Sequence, residues 1–226
     1  MADHLSLVQT ADGSSTIFNE LVGENYHSKH GALQESQHVF LKSGLQHYQQ
    51  LSETGTISVL EVGFGTGLNF LISADYCRTE GLNLNYKGIE AYPLSEELIF
   101  GTGYDQYLSA ETWTEFRENY SAALESPKEL NEYCTLEISP VKLMEFGSQQ
   151  QFDVMYFDAF AEIHQPEMWS VEALTHITRF IKPGGVFVTY AITGNLKRAM
   201  KSLGFSIEKA PGAPGKREML RATKNL

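Results

Sequence analysis

The stretch Val59-Leu60-Glu61-Val62-Gly63-Phe64-Gly65-Thr66-Gly67-Leu68-Asn69-Phe70-Leu71-Ile72 decides the fold. An apolar, β-rich run carrying one carboxylate drops into a loop with glycine at every second position, and an apolar helix-like stretch follows at once. Such a strand–turn–helix unit lets the backbone approach a nucleotide-like ligand at a helix N-terminus. The spacing is not the G-x-G-x-x-G/A of dinucleotide sites, because Leu68 stands where the last Gly or Ala is wanted. Glu61, just before the loop, is placed to accept a hydrogen bond from the ligand. Taken alone, the same glycines also suit a merely tight connection.

A second strand, Asn85-Tyr86-Lys87-Gly88-Ile89-Glu90-Ala91-Tyr92, follows after about the 20 residues that a helix and turn require. Glu90 at its end can accept both ribose hydroxyls of an adenosine, or be a plain surface acid. Further strands are expected near 133–138, 152–157 and 185–190, alternating with helices over 67–80, in pieces through 94–130, from Pro166 to Ile181, and over 194–203. Phe205–Lys209 and Glu218–Thr223 read as a closing hairpin. The pattern predicts an α/β fold with a doubly wound, mostly parallel seven-stranded sheet and a C-terminal antiparallel hairpin. Residues 1–50 read as an N-terminal elaboration on a domain of residues 51–226, which carries an insertion at about 94–130.

The fourth strand, Phe152 to Phe157, ends in Asp158-Ala159-Phe160-Ala161. Ligands of doubly wound sheets lie outside the carboxyl ends of the strands, at the switch point between the first and fourth. A carboxylate there suits an amine acceptor, whose nitrogen it orients and whose proton it takes; it also suits a simple helix cap. Phe160 and Trp169 are candidates to stack on a base, though as core aromatics they need no such role.

The 226 residues are 42% hydrophobic, with a net charge of −11. No apolar run reaches the ~18 residues of a membrane span, and the N-terminus lacks a signal-peptide pattern. Cys77 and Cys134, without C-x-x-C spacing, read as buried free thiols of a cytoplasmic protein. The charge is unevenly spread. Residues 1–178 hold 7 Lys/Arg against 26 Asp/Glu, whereas residues 179–226 hold 10 against 2. A cationic tail on an acidic body suits either a phosphate backbone or plain solvation. His27, His30 and His38 straddle a loop and a helix expected over 30–41 with no second ligand pair, so no metal site is expected.

The loop E-x-G-x-G-x-G resembles motif I of class I S-adenosylmethionine (SAM) methyltransferases. The resemblance becomes specific across the chain: Tyr26-His27-Ser28, Glu35-Ser36, Glu61 to Phe70, Gly88 to Leu94, Asp158-Ala159-Phe160-Ala161 with Pro166-Glu167-Met168-Trp169, and Pro211 to Met219. In that order they resemble the methyltransferase domain of the MnmC-type tRNA 5-methylaminomethyl-2-thiouridine family. The resemblance implies methyl transfer from SAM to the exocyclic aminomethyl nitrogen of a tRNA wobble uridine, by in-line displacement with Asp158 as the catalytic residue. It implies that SAM meets Glu61, Gly63, Phe64, Gly65 and Gly67, and also Leu68, Asn69, Glu90, Ala91 and Asp158. It places Tyr26, Ser28 and Glu35 near cofactor or acceptor. The basic tail then offers Lys216, Arg217 and Arg221 to the tRNA.

Three departures stand out. Some members carry a flavin-dependent oxidase domain; no flavin chemistry is expected in this chain, and a separate flavin-dependent enzyme is a possible partner in trans. Glu162 replaces the usual proline after Ala161, which predicts a looser loop. Ile138-Ser139-Pro140 falls where an acid often meets the adenine, so backbone groups are expected there. Two other classes remain open on the same scaffold: an N-methyltransferase of small-molecule or protein amines, and a non-catalytic SAM- or RNA-binding module.

Overall fold

The computed structural model describes residues 4–52 and 54–226. Five parallel strands form its centre: β4 (Thr56–Val62), β5 (Asn83–Ile89), β7 (Cys134–Ser139), β8 (Phe152–Phe157) and β9 (Ile181–Thr189). At one edge β11 (Glu218–Lys224) pairs antiparallel with β9, and β10 (Phe205–Pro211) with β11. At the other edge β6 (Lys128–Asn131) runs antiparallel to β7. The order is β10-β11-β9-β8-β4-β5-β7-β6. The chain moves outward from β4 through β5 to β7 and then crosses back to β8. A crevice therefore opens where the ends of β4 and β8 diverge.

Two expectations need correction. The sheet has eight strands, because β6 adds a four-residue edge whose register shifts between Glu129 and Asn131; Lys128-Glu129-Leu130-Asn131 is too short and polar to show alternation. The helix expected over 166–181 is broken. A 3-10 turn, Pro166–Trp169, ends at Ser170, whose side chain accepts the Ala173 N–H and starts a new helix over Val171–Thr178. Ile181 already pairs with Phe152, before Pro183-Gly184 leave the ladder and it resumes at Val186. Proline lacks the N–H a regular ladder needs.

Six α-helical segments besides the one just described complete the layers. α1 (Ala32–Glu35), a π-helical stretch (Ser36–Gln46) and α2 (His47–Leu51) form one continuous rod. The expected helix thus runs ten residues past Leu41, although Ser43-Gly44 reads as a stop signal. Gly44 is instead a contact point: a Cβ there would lie 2.8 Å from Tyr156 Cε1 and 2.9 Å from Val188 Cγ2. α3 (Leu68–Glu80) is buried along its first two turns, and α4 (Glu96–Phe100) and α5 (Ala110–Ala123) cover the same face. Ser109 caps α5, which delivers Trp113, Phe116 and Tyr120 to a core shared with Phe70 and Tyr86. The helix over Val171–Thr178 becomes α6, and α7 (Gly194–Ser202) follows β9. Both thiols are buried and unpaired. Among the described residues no helix is long and apolar enough to cross a membrane.

The N-terminal strands β1 (Leu5–Gln9), β2 (Ser15–Asn19) and β3 (Glu24–Asn25) form a separate antiparallel sheet. Its first turn is built on Asp12: Oδ1 accepts the Ser14 N–H at 3.0 Å and Oδ2 accepts the Gln34 N–H at 3.1 Å. One carboxylate therefore ties the hairpin to α1. His27 is buried on β2 through Thr16 Oγ1 (2.9 Å), and burial pushes its imidazole down to about 4. His38 Nε2 reaches Pro211 O at 2.7 Å.

Candidate active site

The glycine loop leaves β4 against the end of β8. Gly63 and Phe64 donate their N–H groups to Ile89 O (3.0 and 3.1 Å), and Asp158 donates its own to Val62 O (2.9 Å). Gly63 has φ +84°, and a Cβ on it would fall 2.5 Å from Asp158 O. Gly65 has φ +53°, and a Cβ there would lie 2.9 Å from Tyr26 Cδ1. These two positions therefore need glycine for backbone shape and for close approach.

Three acids meet around the loop. Glu61 is fully buried and accepts from Asn69 Nδ2 and from Tyr86 OH, both at 2.8 Å. Asn69 Nδ2 also donates to Asp158 Oδ2 at 2.8 Å, so one amide joins the two acids. Asn69 Oδ1 is buried with no hydrogen-bond partner, an arrangement that calls for a donor from outside the protein. Glu90 accepts the N–H of Gly65 (2.9 Å) and of Tyr92 (3.0 Å). Burial holds the carboxyl of Glu61 well above the usual range, and raises that of Glu90. Asp158 is also held well above it, by burial first and then by the negative charge of Glu35; Asn69 and Lys216 pull the other way.

A cavity of about 1090 Å³ lies over these groups. The structure brings Gly63, Phe64, Gly65, Leu68, Asn69, Glu90, Ala91 and Asp158 to its walls. Glu61 sits behind the floor and reaches the cavity through Asn69, and Gly67 starts α3 beneath the loop. Tyr26 and Phe160 meet edge to face across the mouth, with centroids 5.1 Å apart. Val141 to Glu145, just beyond the Ile138-Ser139-Pro140 segment, line the cavity as well.

The other expected acceptor residues stand further back. Trp169 packs its ring on Phe157 and Tyr190, with centroids 5.0 and 6.1 Å away. Its Nε1 donates to Phe160 O at 2.8 Å, so it fixes the backbone that carries Phe160. Glu35 accepts the Ser28 N–H at 3.0 Å and pairs with Lys216 Nζ at 3.1 Å. Lys216 also lies 3.9 Å from the centroid of the Tyr190 ring. It therefore points inward. Arg221 forms a two-point pair with Glu208 (2.9 and 2.6 Å), and Arg217 is exposed.

The loop after Asp158 is held without the missing proline. Ala161 O accepts from His164 N–H and Gln165 N–H at 2.8 and 2.9 Å, which ties a loop the sequence predicts to be looser. Two further residues secure it: Glu24 accepts the Ala161 N–H at 2.9 Å, and Tyr190 OH donates to Ala159 O at 2.9 Å. Sequence reasoning missed Glu24, which lies in a two-residue strand with no pattern to betray it. Tyr190 belongs to the Thr189-Tyr190 pair that also carries the family resemblance, but its sequence position gave it no role.

Residues 108–225 match the model of a family described as S-adenosyl-L-methionine-dependent methyltransferase. Over 215 residues the chain is 30% identical to the tRNA 5-methylaminomethyl-2-thiouridine biosynthesis bifunctional protein MnmC of Pseudomonas savastanoi pv. phaseolicola, covering 88% of this chain and 32% of that protein. With the protein of the same name from Acidovorax sp. it shares 28% identity, covering 92% and 34%. The chain thus spans about a third of the length of these relatives. Among solved structures it resembles MNMC2 from Aquifex aeolicus, with a TM-score of 0.77, 24% identity, and coverage of 96% of this chain and 70% of that one. The sugar N-methyltransferase KedS8 from a Streptoalloteichus species gives a TM-score of 0.50 at 12% identity, covering 85% and 87%. Both likenesses show a common class I methyltransferase fold.

Proposed function

The chain belongs to the S-adenosyl-L-methionine-dependent methyltransferase family, and from that premise we propose that it methylates the exocyclic aminomethyl nitrogen of 5-aminomethyl-(2-thio)uridine at the tRNA wobble position. The residues present fit the cofactor. A loop that only glycine can form faces the cavity, Glu90 at a strand end lines it and would hold the ribose hydroxyls, and the unpaired Asn69 Oδ1 would accept from a donor such as an ammonium group. When bound, SAM supplies an electrophilic methyl group.

The observation that carries the reading is Asp158 on the cavity wall, behind a mouth framed by Tyr26 and Phe160. An amine is mostly protonated near neutrality. Asp158, whose proton affinity is raised by burial and by Glu35, accepts that proton more readily than an exposed carboxylate does. Asn69 fixes the carboxylate in place, and the aromatic pair aligns the acceptor ring. Orientation contributes most of the rate gain, and proton transfer a smaller share. Glu61 serves as the anchor that orients Asn69.

The uridine acceptor is supported by the names of the relatives and by the match along 88% of this chain. With tRNA as substrate, the protein works in the cytoplasm, and a separate flavin-dependent enzyme is the class of partner that would generate the free amine. The test is methyl transfer from labelled SAM into tRNA from cells lacking this activity, followed by nucleoside mass analysis. Methylaminomethyluridine forming as the aminomethyl precursor disappears is the expected result. Transfer to small amines or proteins but not to authentic precursor tRNA would overturn the acceptor assignment and leave the methyltransferase standing.

A further inference from the structure

We infer that the solvent face of α7, rather than Lys216 or Arg221, is the docking surface for the phosphate backbone of the tRNA; this rests on the tRNA reading above. α7 leaves the carboxyl end of β9 after the short link through Tyr190, so its first turn lies at the same end of the sheet as Asp158. The helix buries Leu196, Ala199 and Met200. It exposes Arg198 and Lys201, with Lys197 half-buried beside them. Lys197 and Lys201 are about 6 Å apart along the helix axis, on the scale of one step between neighbouring phosphates.

α7 also shares a cleft of about 500 Å³ with the loop that follows Asp158, Arg198 on one wall and Glu162 and Pro166 on the other. The Arg198 guanidinium is met by the neutral amide of Asn195 at 2.5 Å. Glu162 shares the cleft without pairing to it. Among the described residues no carboxylate lies within 4.0 Å of Lys197, Arg198 or Lys201.

In the rest of the basic tail Arg217 is exposed and Arg179 lies over the Phe180 ring, and the other cations are engaged. Lys182 pairs with Asp153 (2.8 Å), Lys209 with Glu218 (3.9 Å), Lys216 with Glu35 and Arg221 with Glu208. Lys224 donates to the carbonyls of Thr178 and Ile181. A body with 26 acids against 7 bases repels a polyanion over most of its surface. An unneutralised cationic helix at the Asp158 end of the sheet then selects both where tRNA lands and how it is turned.

The test compares the double variant Arg198→Glu/Lys201→Glu with a charge-matched control, Lys42→Glu/Lys128→Glu, in the full chain. The α7 variant should raise the KM for precursor tRNA at least about tenfold, with kcat and SAM affinity unchanged. It should also flatten the log–log salt dependence of tRNA binding by about 2. The control should keep the wild-type KM and slope. If charge reversal harms folding, Arg198→Gln/Lys201→Gln should still flatten the slope, and Arg198→Lys/Lys201→Arg should restore it. Wild-type KM and slope in the α7 variants, with active wild-type enzyme, would overturn the α7 assignment alone. No methyl transfer by the wild type into authentic precursor tRNA would remove the tRNA reading and this inference together.

Discussion

Alanine at Gly63 and at Gly65 should have different consequences, because what each new methyl group meets is different. Both glycines have positive φ, +84° and +53°, and an L-residue in the left-handed region costs about 1–2 kcal/mol. At Gly63 the Cβ falls 2.5 Å from Asp158 O and 3.1 Å from its carbonyl carbon. That backbone is pinned by the Asp158 N–H to Val62 O bond and cannot yield without opening β4 from β8. Overpacking adds about 1–3 kcal/mol, for a total of roughly 2–5 kcal/mol. In a chain of this size that corresponds to a Tm lower by about 4–20 °C. At Gly65 the obstacle is the Tyr26 ring, at 2.9 and 3.4 Å, and a side chain can be removed. Gly65→Ala should therefore cost less in a Tyr26→Ala background than in the parent, and Gly63→Ala should show no such relief. Thermal unfolding and SAM-binding calorimetry on the three single and two double variants read this directly. A Gly63→Ala protein with Tm within about 2 °C of the parent and the same SAM affinity would refute the reasoning. Equal relief of both glycine variants by Tyr26→Ala would do so too.

Four further outcomes follow from the contacts in and around the site. Asp158→Asn should lower kcat about 10²–10⁴-fold while retaining SAM binding. The acid limb of kcat/KM in the wild type should lie above the ordinary carboxylate range, since burial and Glu35 both disfavour the ionised form; Glu35→Gln should move that limb to lower pH and Lys216→Met to higher pH, and three coincident limbs would count against Asp158 as the base. Asp153 is a buried acid whose own carboxyl is shifted down: burial pushes upward, but Lys182, Ser58 and Tyr48 together outweigh it. Its contribution is present above the unfolded value near 4 and fades as pH falls through the lower folded value. Asp153→Asn should accordingly cost about 2–3 kcal/mol at neutral pH, with the gap to wild type narrowing in acid; denaturant unfolding at several pH values checks both, and a gap independent of pH would refute it. Trp169→Phe removes the donor to Phe160 O and should cost about 1 kcal/mol, raising the acceptor KM while SAM affinity stays fixed; an unchanged KM would show that Phe160 needs no such support.

The centre of the sheet was legible because β4 and β8 are mostly apolar runs, β5 alternates buried and exposed residues, and each ends in an acid or a glycine loop, a pattern that local sequence carries in full. The edge was not. β6 is three polar residues and one leucine whose only argument for being a strand is the neighbour they lean on. The site divides the same way. Glu90 and Asp158 stand where strand ends predict them, whereas Glu61 is screened by Asn69, and nothing in a linear motif says which of two polar side chains reaches the cavity. Lys216 reads as a free cation in a basic tail. Its inward turn depends on Glu35, 181 positions earlier, and on the ring of Tyr190. The continuation of the N-terminal helix past Gly44 likewise depends on Tyr156 and Val188, which local stop signals cannot anticipate.

The embrace between the two ends of the chain has a bearing on how the protein is made. Glu35 finds its countercharge in Lys216, His38 finds Pro211, and Gly44 rests on Val188. As the polypeptide emerges from a ribosome, the N-terminal rod can lean on α3 and on Tyr156 of β8 well before residues 211–216 are made, yet its pairings with those residues wait for them. Asp158 has the charge of Glu35 near it first and gains Lys216 only then. A message broken before codon 211 would leave Glu35 in the fold without its countercharge and Asp158 with one fewer cation near it.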